Sequence, residues 1–267
     1  MTLWIAADFA TFVSQQARAV GNSFKLGWQD LVEEFTSNFI EEERWKWLVE
    51  GFGNTLLITF LAGLIGIALG VIIAIVRSTY DKMGADLKKK GGIGYGVLAF
   101  FNAICNIYLT VIRGTPVVVQ LLIMYFIIFA SSTNDVMVAV IAFGINSGAY
   151  VAEIFRSGIM SVDKGQFEAG RSLGLNYIQT MIYIVVPQMF KIVLPTLCNE
   201  FIVLLKETSV VGYVGTVDLT KAGDLIRGRT FSAYMPLIAV AIIYLIVVMI
   251  FTTLVRKLER RLRNSDH

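Results

Sequence analysis

The sequence predicts an all-α, polytopic membrane helix bundle with five core spans. Three observations carry this. Of the 267 residues, 56% are hydrophobic and only 16% charged, where a soluble domain carries about 25% charge. Mean hydropathy is +0.68. The charges collect between long apolar segments, the clearest of which, 52–76, contains none. A segment of that length crosses about 30 Å of hydrocarbon with some tilt.

Residues 1–50 form a leader with eight acidic and four basic residues. Its first positive charge is Arg18, so the start has no basic region before its apolar stretch and does not read as a cleavable signal peptide. Trp45 and Trp47 just before the first span favour the headgroup level. An interfacial, external helix and an irregular leader both fit. In the span 52–76, Gly63, Gly66 and Gly70 allow another helix close approach. Residues 78–96, with Lys88-Lys89-Lys90, read as a polar connection. Two apolar runs follow, 97–112 and 117–130, separated by Arg113-Gly114-Thr115-Pro116. Pro116 has no amide hydrogen and restricts Thr115, so a straight helix is broken there. Periodicity is compatible with one crossing or two. The remaining spans are 136–155, 188–205 and 235–255, with long connections at 156–187 and 206–233 and a basic tail at 256–267.

Charge sets the orientation. With the basic tail in the cytoplasm and 97–130 as one crossing, the N-terminus is external. The cytoplasmic segments 77–113, 156–191 and 256–267 then hold fifteen Lys or Arg, and the external segments 1–50 and 206–233 hold eight. That bias has the expected sign.

The connection 156–187 is the richest in local signals. Asp163 with Gln166, and Asn176 with Gln179, have capping-box spacing. Between them the sequence predicts a short helix from Lys164 to Leu173. Lys164, Glu168 and Arg171 fall on one charged face, Phe167, Leu173 and Leu175 supply apolar knobs, and Gly174 is the stop. A compact helix–turn–helix at the cytoplasmic surface fits either a cover for the bundle ends or a dock for a soluble partner.

Polar residues at membrane depth are the candidates for a transport path, because a lipid-exposed charge there is costly. Glu200, beside Asn199 and near Pro195, either pairs across the bundle or contacts cargo. Glu153 lies three residues before Arg156 at the inner end of its span, below a stripe of Asn146, Ser147 and Tyr150. Gln120 is a further candidate. Thr208 and Ser209 are placed to cap the segment after them. Several classes are excluded. The only histidine is His267, so no His-based metal site or general base is expected. Cys105 and Cys198 read as small apolar side chains. The chain has no Gly-rich phosphate loop, no HExxH and no GxSxG, and no catalytic constellation converges. Nucleic-acid binding is not indicated. An ion-coupled secondary transporter is the alternative, but no internal repeat of that architecture is visible.

At 156–187 the chain resembles the inner-membrane permease subunit of an ATP-binding-cassette importer. Such permeases carry a cytoplasmic loop with Glu-Ala-Ala, three residues, Gly, nine residues, Ile, one residue and Leu-Pro. Here it reads Glu168-Ala169-Gly170, Gly174, Ile184 and Val186-Pro187, with the spacing kept and Gly170 and Val186 departing. Gly51–Gly70, YLTVIRGTPVVVQ (108–120), GAYVAEIFRSGI (148–159) and LPTLCNEFIVLLKETS (194–209) are similar to the polar amino-acid branch. The resemblance covers about 50–260. It implies a permease domain of the type I importer kind over 51–260, with a coupling loop at 160–187. It also implies a second permease subunit, identical or homologous, an ATPase dimer that binds ATP and Mg, and an extracytoplasmic amino-acid-binding protein. The chain itself would bind no cofactor or metal, would be no enzyme, and would sit with lipid in the bacterial cytoplasmic (inner) membrane. Lys164, Phe167, Glu168, Ala169, Gly170, Arg171 and Gly174 would transmit ATPase motion. Glu200, Asn199, Glu153 and Gln120 would line the path. An unpaired Glu200 suits a cationic amino acid such as arginine, lysine or histidine.

Overall fold

A computed structural model describes residues 27–263, and among these the chain is helical, with no strand. Five of its helices are long and apolar enough to cross a membrane. A short helix α1 (Trp28–Phe35) and an irregular turn lead into α2 (Trp45–Lys90). Two further crossings are α3 (Ile93–Gly114) with its continuation α4 (Val117–Ile123), and α5 (Asp135–Ser161). Next follow α6 (Lys164–Ser172) and α7 (Tyr177–Thr180), the latter joined through a π turn (Met181–Val185) to α8 (Val186–Glu207). α9 (Leu219–Thr230) and α10 (Met235–Arg263) complete the chain.

α5 is the central post. Most of its apolar window is buried, while the windows of α3 and α10 face outward almost entirely. α2 packs along α5 in the same direction. Ile65 meets Gly144, Gly66 meets Ser147 and Gly70 meets Val151. At Gly70 a methyl group would come within 2.6 Å of Val151 Cβ, whereas at Gly63 it would find Phe201 at an ordinary 3.7 Å. Two of the three glycines therefore permit the close approach. α8 runs the opposite way, with Val193 against Gly158 and Leu204 in the cluster around Phe143. Phe201 then meets Phe251 of α10, centroids 5.4 Å apart.

The break at Thr115–Pro116 lies within one crossing. Gln120 meets Asn146, Leu121 packs among Ala139, Val140 and Phe143, and Tyr125 reaches Asp135 at 3.1 Å. α4 thus climbs antiparallel to α5 from its middle to its outer end and completes what α3 begins.

Three expectations are corrected. Residues 78–90 are not a loop: α2 continues through them and stops at Gly91 and Gly92, both at positive φ. Polarity ends the apolar run there, but nothing in STYDKMGADLKKK breaks the helical hydrogen bonds. α2 also begins at Trp45, inside the leader. The 206–233 connection contains α9, capped by Asp218 and not by Thr208 or Ser209. Thr208 is buried, donates to the Leu205 carbonyl and meets Thr59.

At the end of the bundle away from α6, Phe39, Leu48, Leu219, Ala222, Ile226 and Val240 form one apolar cluster. It joins the leader, α9 and the start of α10. Residues 1–26 and 264–267, including the start of the leader and His267, lie outside the described residues.

Candidate functional site

Two regions gather the candidate residues: the short helix α6 beside the C-terminal part of α2, and a cleft between α2, α5 and α8.

α6 is bounded by its own chemistry. Asp163 accepts from the Gly165 amide at 2.6 Å. At the other end Gly174 takes φ +77, and the Leu175 amide reaches back to the Gly170 carbonyl at 3.0 Å. This left-handed stop satisfies carbonyls that would otherwise lack partners. The following turn carries a full reciprocal capping box, Asn176 with Gln179, at 2.9 Å each way. Asp163 and Gln166 form no such box: the Gln166 amide donates to the Asp163 backbone carbonyl, and the Gln166 side chain accepts from Gln188 at 3.2 Å.

The helix has two faces. Lys164, Glu168, Ala169, Arg171 and Gly174 are exposed, and so is Leu173, at 76%. Gly170 is buried against Thr180. Phe167 is half-buried and turns its ring to the chain's own α2, where Lys82 Nζ lies 4.3 Å from the ring centroid. A cleft of about 390 Å³ separates α6 from α2, lined by Asp81, Lys82, Asp86, Lys164, Phe167 and Arg171 among others. Phe167 and Gly170 thus face inward, and Leu173 is the outward apolar knob.

The mid-membrane cleft holds about 110 Å³ between α2, α5 and α8. Its polar members are Glu200 and Ser147, set among Phe60, Gly63, Ile67 and Phe201. Asn199 is exposed and is not among the residues lining it. Gln120 is engaged elsewhere. Its amide donates to the Ile112 carbonyl at 2.7 Å and to Thr115 Oγ1 at 2.8 Å, and its oxygen accepts from Asn146 at 2.9 Å. Gln120 therefore closes the helix end left open by Pro116. Glu153 lies lower on α5, 3.6 Å from Arg113 and 4.0 Å from Arg156. The four path candidates do not converge on one cavity. Asp81 and Lys82 do not stand out in the sequence, and Arg113 stands out only as part of the break before Pro116; the unbroken helix propensity of 78–90 is the signal that brings the first two forward. Among the described residues no three His, Cys, Asp or Glu side chains group as metal ligands.

Residues 92–264 match the family described as the binding-protein-dependent transport system inner membrane component. The chain belongs to this family. It is similar to the arginine transport system permease protein ArtQ of Bacillus subtilis, 34% identical over 82% of this chain and 94% of that one. It is also similar to the glutamine transport system permease protein GlnP of Escherichia coli K12, 37% identical over 65% of this chain and 85% of that one. A solved structure of an amino acid ABC transporter with histidines superposes with a TM-score of 0.72 at 36% identity, over 89% of this chain and 99% of that one. The fold alone is shared with the MetNI methionine ABC transporter, TM-score 0.66 at 17% identity, over 80% of this chain and 95% of that one. These relatives are permeases, not enzymes, and the permease described here shares their helical membrane architecture.

Proposed function

We propose that this permease forms the path for ATP-driven uptake of a polar amino acid across the bacterial cytoplasmic membrane, with a cationic amino acid favoured. The observation that carries the cargo class is Glu200, a carboxylate held with Ser147 in an otherwise apolar cleft at mid-membrane, in a chain whose relatives are named for arginine and glutamine. A partly buried carboxylate with no ion pair among the described residues suits the ammonium or guanidinium of a cationic cargo. The cleft is smaller than the several hundred Å³ typical of a small-molecule site. A second permease subunit completing the path agrees with that. The exposed face of α6, with Lys164, Glu168, Ala169, Arg171 and Gly174, is the dock for an ATPase subunit; Phe167 and Gly170 hold that face in place. ATP and Mg stay on the ATPase pair, and an extracytoplasmic binding protein delivers the cargo.

The test is uptake of radiolabelled arginine, lysine, histidine, glutamine, glutamate and cystine by liposomes holding the permease, its ATPase and its binding protein. The expected result is ATP-dependent uptake of basic amino acids, lost in Glu200→Gln while the binding protein still stimulates hydrolysis. Uptake of neutral or acidic cargo only, or a variant that transports normally, defeats the cationic assignment. Uptake driven by an ion gradient without ATPase would defeat the importer reading itself.

A further inference from the structure

The cytoplasmic end of α2 ties the coupling helix to the break in the second crossing through an unbroken series of charges. Lys82 covers the ring of Phe167 in α6, a cation–π contact. Its neighbour Asp81 accepts from Arg156 Nε of α5 at 3.0 Å. Arg156 Nη1 stands 4.0 Å from one oxygen of Glu153, and Arg113 Nη1 stands 3.6 Å from the other. Arg113 belongs to the last turn of α3, at the break, with its guanidinium 5.8 Å from the ring of Tyr150. Side chains in the ion-paired part are between 26% and 46% exposed.

Two features make this more than a row of interfacial charges. Glu153 sits between two arginines and is at hydrogen-bonding distance from neither, so it can close on one or the other. A carboxylate shared in this way is a two-position element, which is what transmission between distant sites requires. The break is also clipped to α5 at a second point, Gln120 with Asn146. Asn146 and Glu153 are two helical turns apart, about 10 Å. The break is thus tied to α5 on both sides, through Arg113 before it and Gln120 after it.

We propose that Asp81, Arg156, Glu153 and Arg113 form the link by which displacement of α6 reaches the break at Thr115–Pro116, and that they are positioning residues for transport, with no contact to cargo. The inference rests on the reading of α6 as the ATPase dock.

The test compares uptake with ATP hydrolysis in liposomes holding permease, ATPase and binding protein, for the wild type, Glu153→Gln, Asp81→Asn and the charge-keeping Asp81→Glu. The expected result is that Glu153→Gln keeps hydrolysis stimulated by the loaded binding protein yet carries at least about fivefold fewer molecules per ATP, the lower end of usual coupling between sites. Asp81→Asn moves the same ratio in the same direction, and Asp81→Glu keeps it near wild type. The link is overturned if uptake and hydrolysis fall in equal proportion, if the ratio stays at wild type in Glu153→Gln and Asp81→Asn, or if Asp81→Glu is no better than Asp81→Asn. Should Glu153→Gln fail to assemble, the ratio in Asp81→Asn against Asp81→Glu decides. A wild-type complex that carries none of the six amino acids while hydrolysing ATP counts against the cargo class instead; a lowered ratio confined to the variants counts for the link.

Discussion

One methyl group separates Gly170 from the alanine usual at its place in the coupling motif. The sequence alone suggests a slightly loosened helix. The structure gives a steric reason: a Cβ at Gly170 would lie 2.7 Å from both Cγ2 and Oγ1 of Thr180, and 3.3 Å from Ile184. Thr180 is itself buried and donates to the Asn176 carbonyl at 3.0 Å. The glycine at 170 and the threonine at 180 are therefore a matched pair. Gly170→Ala should destabilise the permease by about 1–3 kcal/mol despite the better helix propensity of alanine. Gly170→Ala with Thr180→Ala should recover most of that loss. Thermal unfolding of the detergent-solubilised protein reads both; a single variant as stable as wild type would show that the loop simply shifts to accept the methyl.

Among the elements, α9 carries the sharpest prediction, because a buried carboxylate caps it. Asp218 accepts from the amides of Thr220 at 3.0 Å and Lys221 at 2.9 Å. Its backbone carbonyl lies so close to Gly51 that a Cβ there would stand 2.5 Å away. Burial pushes the Asp218 carboxyl above the ordinary Asp range, outweighing the hydrogen bonds that pull it down. The folded protein then holds this proton more tightly than the unfolded chain. The resulting stability is full below the ordinary Asp range, falls as pH rises through the raised value, and is constant above it. Asp218→Asn keeps a good cap and removes the titration. It should match or exceed wild type at neutral pH and flatten the acid-side slope, whereas Asp218→Ala should cost about 1 kcal/mol. Unfolding midpoints across the acid range check this; an Asn variant as damaged as Ala would mean that the charge itself is needed. The same element shows what a sequence can conceal. The bounds of α6 were legible because Asp163, Gly174 and Asn176 act on their immediate neighbours. The inner end of α2 was not, because hydropathy records where lipid stops and says nothing of where backbone hydrogen bonds stop. Gln120 looked like a path residue because a lone amide in an apolar run looks the same whether it faces cargo or closes a broken helix. Only the proximity of Ile112, Thr115 and Asn146 tells the two apart.

For the whole molecule, α2 sets the frame. Its 46 residues extend about 69 Å at 1.5 Å per residue, more than twice the hydrocarbon thickness. It must project from the bilayer, and the packing says on which sides. Its outer part carries Gly51 against Asp218, its middle carries Gly66 and Gly70 against α5, and its inner part carries Lys82 against α6. If fifteen cytoplasmic cations against eight external ones orient the chain correctly, the tip of α2 and α6 share the cytoplasmic side, with α9 and Phe231 outside. A membrane-impermeant maleimide distinguishes the sides, in a background with Cys105 and Cys198 replaced by serine and alanine. Ala233→Cys should react in intact cells. Lys89→Cys should react only in inverted vesicles. The reverse pattern would put α6 on the outer face, where no ATP is available, and both the ATPase dock and the charge link through Glu153 would fall with it. The labelling therefore bears on every functional assignment at once, which a substitution in α6 alone does not.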